Sequence, residues 1–230
     1  MSEFICIGHR GACGYEPENT LRSFEKAINM GCPWIELDVY SVENELLVIH
    51  DDSLERTTNG KGEVMDSTLA YLRGLDAGDG QQIPTLNEVV ELVDKRCAIN
   101  IELKGPDTAA PVSAYLGSLC ENGWHEDHFL FSSFNHAELA KADVRFRRGA
   151  LFRKQVPDYF QRTARLQAYS INLSIKLVEQ NLVDEAHDHG LKVFVYTVNK
   201  VKDIQQMVKM GVDGVFCDYP DRVFAALGRP

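Results

Sequence analysis

Short apolar runs alternate with amphipathic stretches from one end of the chain to the other. Runs near Phe4–Gly8, Ile35–Val39, Ile99–Leu103, Phe129–Ser132, Gly149–Phe152, Ser170–Leu173, Val193–Thr197 and Gly214–Cys217 read as eight strands. Their hydrophobicity is too continuous to leave one face in water, which predicts burial on both sides. Between them, Leu21, Phe24, Ala27 and Ile28 recur at helical spacing and stop at Gly31. Val178, Leu182, Val183 and Ala186 repeat the pattern and stop at Gly190, again where a helix C-cap is expected. Thr85-Leu86-Asn87-Glu88 has the form of a capping box opening a helix over Val89–Val93. Buried strands with helices between them predict a parallel sheet. Eight such units in 230 residues predict an α/β fold, a closed (β/α)8 TIM barrel. A doubly wound open sheet is the rival. No GxGxxG follows the first strand and the strand spacing stays near one βα unit to the end, so closure is preferred.

One segment breaks the rhythm. Leu46-Leu47-Val48-Ile49-His50 follows the second strand too closely for a helical crossover, and is expected to return as a hairpin around Glu43-Asn44-Glu45. Turn residues Thr57-Thr58-Asn59-Gly60 and a short helical piece, Leu69–Leu72, occupy the stretch that follows, up to Pro84. The expectation is one barrel domain over residues 1–230, with a small insertion after the second strand at about 51–84.

Composition narrows the class. Hydrophobic residues make up 44% and charged residues 25%, ordinary for a soluble globular chain. The six cysteines are scattered without a CxxC pair and several lie inside apolar strands, which fits small hydrophobes in a reducing compartment. The N-terminus carries no signal-peptide pattern and no apolar run is long enough to span a bilayer, so a cytoplasmic protein without stable membrane association is expected. A formal net charge of −10 without a basic stripe argues against nucleic acid as a partner. It leaves room for an anionic small molecule, because a few local cations outweigh a distant diffuse charge.

Candidate chemistry gathers at the predicted strand ends. In Glu36-Leu37-Asp38 the two carboxylates share one face of a strand, and Ile101-Glu102-Leu103-Lys104 ends the third strand in the same way. Barrel interiors are packed with apolar side chains, so inward charges belong near the C-terminal rim, where barrel active sites lie. Three carboxylates from adjacent strands repel unless one takes a proton. A divalent cation removes the conflict, and all-oxygen ligation favours Mg2+ or Ca2+ over zinc. The plainer reading is a set of rim salt bridges, such as Glu102 with Lys104. His9, within Ile5-Cys6-Ile7-Gly8-His9-Arg10-Gly11, and His50 each follow an apolar strand toward that same rim. Two imidazoles there can serve as base and acid near neutral pH. His125, His128, His136, His187 and His189 fall in helices or loops and are expected to be solvated. Arg10 and Lys104 reverse the net −1 left by three carboxylates and one divalent cation, and so suit a phosphodiester. The plainer alternatives pair Arg10 with Glu18 or Asp218, and Lys104 with a neighbouring carboxylate.

Together these segments resemble the glycerophosphodiester phosphodiesterase family: HRG and ENT (9–11, 18–20), ELDV (36–39), IHDDSLERTTNG (49–60), IELKG (101–105), SSFN (132–135), YTVN (196–199) and GVDGVFCDYPDR (211–222). The resemblance implies a TIM barrel with a small insertion after the second strand, and hydrolysis of glycerophosphodiesters to glycerol 3-phosphate and an alcohol. It implies one divalent cation held by Glu36, Asp38 and Glu102, with His9 as base, His50 as acid, and Arg10 and Lys104 on the phosphate. Asp51, directly after His50, is expected to orient that site. Cys13 stands where a serine-like residue is usual, Glu16 where a smaller one is common, and Tyr196 where tryptophan is frequent. Two other readings compete. A lysophospholipase D-type diesterase would want an apolar rim on residues 51–84, which offer only scattered Leu54, Met65, Leu69, Tyr71, Leu72 and Leu75. A non-catalytic metabolite-binding barrel predicts loss of a histidine or carboxylate, and all are present.

Overall fold

The computed structural model describes residues 4–228. Nine strands and nine α-helices lie among those residues, alternating except where two strands and then two helices follow one another between Trp34 and Val93. The strands are β1 (Ile5–Gly8), β2 (Trp34–Val42), β3 (Glu45–Val48), β4 (Ala98–Leu103), β5 (Phe129–Ser133), β6 (Arg147–Phe152), β7 (Ser170–Ser174), β8 (Lys192–Tyr196) and β9 (Gly214–Cys217). All but β3 are parallel to their neighbours, in the order β1-β9-β8-β7-β6-β5-β4-β2, and β1 also pairs with β2. That last pairing closes the sheet into the expected eight-stranded barrel.

Alternation along each strand divides the core in two. Outward residues such as Ile35, Leu37, Val39, Ile99 and Ile101 are fully buried under the helix layer, with Phe24 and Ala27 of α1 (Leu21–Asn29) and Val89 and Val93 of α3 (Leu86–Val93) in the same cluster. Inward residues Ile7, Leu130, Phe194 and Phe216 form a smaller cluster inside the barrel. The interior is not wholly apolar. Asn100, Ser132 and Asn172 are buried there, Asn100 Nδ2 donating to Ser132 Oγ at 2.9 Å. The expectation of a purely apolar filling is corrected accordingly.

Helix ends are set by the residues the sequence singled out, shifted by one position. The cap of α1 is Met30, and Gly31 follows it at φ 87°, its N–H bonding Ile28 O while Cys32 N–H reaches Ala27 O. This paired closure needs a left-handed residue, which glycine supplies at least cost. Gly190 ends α7 (Gln180–Asp188) with the same two bonds, to His187 O and from Leu191 to Ala186 O. The chain passes within a few residues into the next strand at both places. Thr85 and Glu88 form the expected capping box, on a helix that begins at Leu86. Val178 lies outside α7, in an extended cap after a short 3-10 turn, so that helix begins later than its apolar spacing suggested.

β2 overruns the barrel rim. Its outer residues pair antiparallel with β3, from Val39↔Val48 to Val42↔Glu45. The turn is therefore Glu43-Asn44 alone, both at positive φ (51° and 67°), with Glu45 already in the strand. Positive φ at both central residues matches the right-handed twist of a two-residue hairpin. The returning strand brings Ile49 N–H onto Asp38 O at 3.0 Å, which sets His50 down at the rim. Beyond it, Leu54, Val64, Leu72, Leu75, Ala77 and Ile83 bury themselves with Tyr40, Val42, Leu47 and Ile49 in a separate small core. It includes α2 (Leu69–Arg73), where the short helical piece was expected. No helix among the described residues is long and apolar enough to cross a membrane.

At the opposite end, Asp213 just before β9 ties three elements. Its carboxylate accepts from Lys192 Nζ (2.8 Å), Val193 N (2.9 Å) and His187 Nε2 (2.9 Å). Burial opposes its charge, but these donors, Lys192 foremost, hold it below the usual carboxylate range. Asp213→Asn is expected to cost about 2 kcal/mol and roughly 4–8 °C in Tm, read by thermal unfolding at neutral pH. Because its folded value is depressed, the contribution is present above the unfolded pKa of about 4 and is lost as pH falls through the folded value. The Tm gap between wild type and variant should therefore shrink in acid.

Candidate active site

Strand register assembles the site. Gly8 pairs with Ile35 on one side and Cys217 on the other, so His9 and Arg10 leave the sheet between Glu36 and Asp218. Asp38 lies directly across from Glu102 in the β2–β4 ladder. The turn after β1 is held tightly: Arg10 has φ 50° and Gly11 φ 87°. A Cβ on Gly11 would sit 2.4 Å from Ser23 Oγ and 2.5 Å from its backbone, so only glycine fits there. The strained Arg10 conformation aims its own N–H at Glu36 Oε2, 2.9 Å away.

The three acidic residues converge. One oxygen from each of Glu36, Asp38 and Glu102 lies within 4.8 Å of the others. Glu36 and Asp38 are 3% and 0% exposed. Asp38 Oδ2 accepts from Asn19 Nδ2 at 2.9 Å, while its Oδ1 is buried with no hydrogen-bond partner. Glu102 Oε1 takes Lys104 Nζ at 3.0 Å. Burial, then repulsion from Asp38 and Glu102, pushes Glu36 well above its ordinary value. Burial and Asp38 raise Glu102 to about 7 against the pull of Lys104. An unsatisfied buried carboxylate oxygen within an all-oxygen donor set fits a hard divalent cation, Mg2+ or Ca2+.

Both cations come to this cluster, and both ion-pair readings left open by the sequence are realised. Arg10 Nη1 donates to Glu18 Oε1 at 2.7 Å, and its Nε lies 3.5 Å from Asp38 Oδ2. Lys104 Nζ is also 3.7 Å from Asp38 Oδ1. Asp218 does not pair with Arg10. It accepts instead from His9 Nδ1 at 2.7 Å, and this contact holds it down to about 2 although burial works the other way. His50 is held in a parallel fashion, Nδ1 to Asp51 Oδ1 at 2.5 Å. Burial lowers the His50 pKa, and Arg10 and Lys104 add to the effect over the opposing pull of Asp38. A carboxylate on Nδ1 in each ring fixes that nitrogen as the donor and leaves Nε2 free.

Arg56 was not singled out from the sequence. Its guanidinium donates to both oxygens of Asp51 and both oxygens of Glu18, thereby bracing the supports of His50 and Arg10 together. Asn19 was likewise unassigned and Asp218 was considered only as a partner for Arg10, although all three lie inside the motifs that carry the resemblance.

His9, Arg10, Glu36, His50 and Glu102 face a cavity of about 160 Å³. Phe134, Leu151, Tyr196 and Phe216 form its apolar wall, with Phe134 and Tyr196 edge to face at 5.8 Å. The remaining histidines lie elsewhere. His125 is exposed, but His136 is half-buried with Nε2 3.1 Å from Leu151 O, and His189 stacks on Phe160 at 4.4 Å. His187 pairs with Asp213 and, like His189, stays exposed, so His125, His187 and His189 lie in solvent as expected and half-buried His136 does not.

The sequence pattern of the Glycerophosphoryl diester phosphodiesterase family matches residues 9–222. A glycerophosphodiester phosphodiesterase of Caldanaerobacter subterraneus subsp. tengcongensis is 36% identical over 94% of this chain and 95% of its own length. One from Bacillus altitudinis is 37% identical over 94% and 95%. Among solved structures, an Oleispira antarctica phosphodiesterase in complex with the product sn-glycerol-3-phosphate superposes with a TM-score of 0.90 at 30% identity, covering 97% of this chain and 96% of that one.

Proposed function

The chain belongs to the glycerophosphoryl diester phosphodiesterase family and is a phosphoric diester hydrolase, and from that premise we propose that it cleaves small glycerophosphodiesters to glycerol 3-phosphate and an alcohol by histidine acid–base chemistry with one divalent cation, Mg2+ or Ca2+. The observation that carries this reading is the meeting, around one cavity, of two carboxylate-anchored imidazoles with Glu36 and Glu102, whose carboxylates cluster with that of buried Asp38. The glycerol 3-phosphate held by the Oleispira antarctica relative supports a substrate of that size.

We assign Glu36, Asp38 and Glu102 to the cation. When bound, it supplies Lewis-acid polarisation of a phosphoryl oxygen. Arg10 and Lys104 bind the phosphate and offset charge building on its non-bridging oxygens. His9 Nε2 takes the proton of the attacking hydroxyl, and Asp218 on Nδ1 stabilises the imidazolium that results. His50 Nε2 hands a proton to the departing alkoxide. It must first acquire that proton despite its lowered pKa. The anionic diester favours this by neutralising the two cations beside it, and Asp51 then pairs with the charged ring.

Incubation with glycerophosphocholine is the direct test. Glycerol 3-phosphate should accumulate, cease on chelation with EDTA, and resume on adding back Mg2+ or Ca2+; activity undiminished after exhaustive chelation would remove the cation from the proposal. Arg56→Ala should lower turnover by roughly tenfold, in the range seen when a group that orients a ligating or catalytic residue is removed. Arg56→Lys should recover only part, since an ammonium cannot hold two carboxylates as a guanidinium fork does. The measurement is kcat for the three proteins with glycerophosphocholine.

The lysophospholipase D reading is weakened by the folding of residues 51–84. Leu54, Leu72 and Leu75 are buried in the small core there and Leu69 packs against it, which leaves only Met65 and Tyr71 of those apolar residues exposed to make a lipid-facing rim. The small-diester reading is preferred on that observation. A cytoplasmic setting remains the one in which the free thiols of all six cysteines are most at home.

A further inference from the structure

Beside the acidic trio lies a second group of potential metal ligands with different chemistry. His9 Nδ1, Cys13 Sγ and Asp218 Oδ1 form a triangle with edges of 2.7 Å (His9–Asp218), 3.1 Å (Cys13–Asp218) and 4.0 Å (His9–Cys13). Each is partly exposed, the His9 and Asp218 side chains to 17% and 24%. Two of the three follow directly on paired strand ends, β1 and β9. Asn199 Nδ2 occupies Asp218 Oδ2, leaving Oδ1 turned to the triangle. Tetrahedral zinc, with bonds near 2.0–2.3 Å, separates its ligand atoms by about 3.3–3.6 Å. The triangle reaches that spacing if its edges change by about half an ångström.

We propose that His9, Cys13 and Asp218 form an inhibitory site for Zn2+ or a similarly thiophilic divalent cation, separate from the all-oxygen trio. The two sites sort metals by donor type: carboxylate oxygens suit Mg2+ and Ca2+, and a sulfur–nitrogen–oxygen set suits zinc. Cys13 binds as thiolate and releases one proton to solvent. Thiolate and carboxylate together balance the charge of Zn2+, and the fourth position is open to water. The proton on His9 Nδ1 must move to Nε2 when the metal takes Nδ1. His9 stays neutral but has lost the free nitrogen that serves as base. This inhibitory consequence rests on the proposed role of His9; the metal site itself does not.

Two measurements on the whole protein test the site. In the first, Co2+ is added to the folded protein. A thiolate-to-cobalt charge-transfer band is expected in the near ultraviolet with wild type and is absent with Cys13→Ser, whose hydroxyl keeps the hydrogen bond to Asp218. In the second, Zn2+ is titrated into the enzyme turning over glycerophosphocholine in excess Mg2+ or Ca2+. Inhibition is expected in wild type, unrelieved by more Mg2+ or Ca2+, with the half-inhibiting Zn2+ concentration raised at least about tenfold in Cys13→Ser, as for the loss of one ligand. No cobalt–thiolate band in wild type, or the same band or the same Zn2+ sensitivity in Cys13→Ser, overturns the inference. A protein with the band but without diesterase activity would instead count against the proposed function, so the two failures are distinguishable.

Discussion

His50→Ala should lower turnover of glycerophosphocholine by roughly 10²–10⁴-fold, the span a general acid is worth, while largely sparing a glycerophosphodiester of a nitrophenol. Choline departs as a strongly basic alkoxide and needs a proton as the P–O bond breaks. A nitrophenolate is stable without one. The geometry makes the contrast sharp because His50 Nδ1 is committed to Asp51, leaving one nitrogen for proton transfer. His9→Ala should behave differently and lose activity on both diesters, since activation of the attacking hydroxyl is needed whichever group leaves. The check is kcat for the two variants on the two substrates. Equal losses for His50→Ala on both would assign it a role other than proton donor. Loss confined to the choline ester in His9→Ala would exchange the two histidines.

The parallel sheet was legible because its strands are apolar on both faces, and its closure because the βα spacing stays even to the last strand with no GxGxxG after the first. Helix ends were legible through Gly31 and Gly190, where a left-handed residue is required. The trio was legible because Glu36 and Asp38 stand two apart on a strand and Glu102 stands opposite once the strands are in register. His50 needed more than local reasoning. Its place depends on the overrun of β2 and a two-residue turn, so that a strand running back toward the barrel ends at the level of Asp38.

What stayed hidden shares one physical cause: the residues act through partners distant along the chain. Asp218 could be seen only as a counter-ion for Arg10: barrel closure brings the last strand beside the first, but nothing in the sequence says whether the carboxylate turns to Arg10 or to its neighbour His9. Arg56, in a polar turn, looks like a solvated charge until Glu18 and Asp51 are brought to it. The buried Asn100 and Asn172 carry an ambiguous signal, since asparagine commonly marks turns. Val178 erred in the other direction, its apolar side chain packing on the core from outside any helix.

Glu36→Gln should abolish activity and yet stabilise the cation-free protein. The wild-type site holds three carboxylates against Arg10 and Lys104, with Glu36 buried and pushed well above its ordinary pKa by that burial and by Asp38 and Glu102. A carboxylate whose folded pKa is raised favours the native state below its unfolded pKa of about 4 and loses that contribution as pH rises through the folded value. In EDTA, wild-type stability should therefore decline with rising pH, including the range near 7 where Glu102 ionises. Glutamine keeps an oxygen for the Arg10 N–H and removes the charge. Its Tm in EDTA should exceed that of wild type by a few degrees, for about 1 kcal/mol of relieved repulsion. Adding Mg2+ or Ca2+ should raise the wild-type Tm, because a ligand bound only by the native state stabilises it, and should leave the variant nearly unmoved. Turnover should fall by 10³-fold or more, roughly 4 kcal/mol of lost charge stabilisation at the phosphoryl group. A variant that is less stable than wild type in EDTA, or one that still gains Tm from the cation, would mean that Glu36 serves the fold rather than the ion.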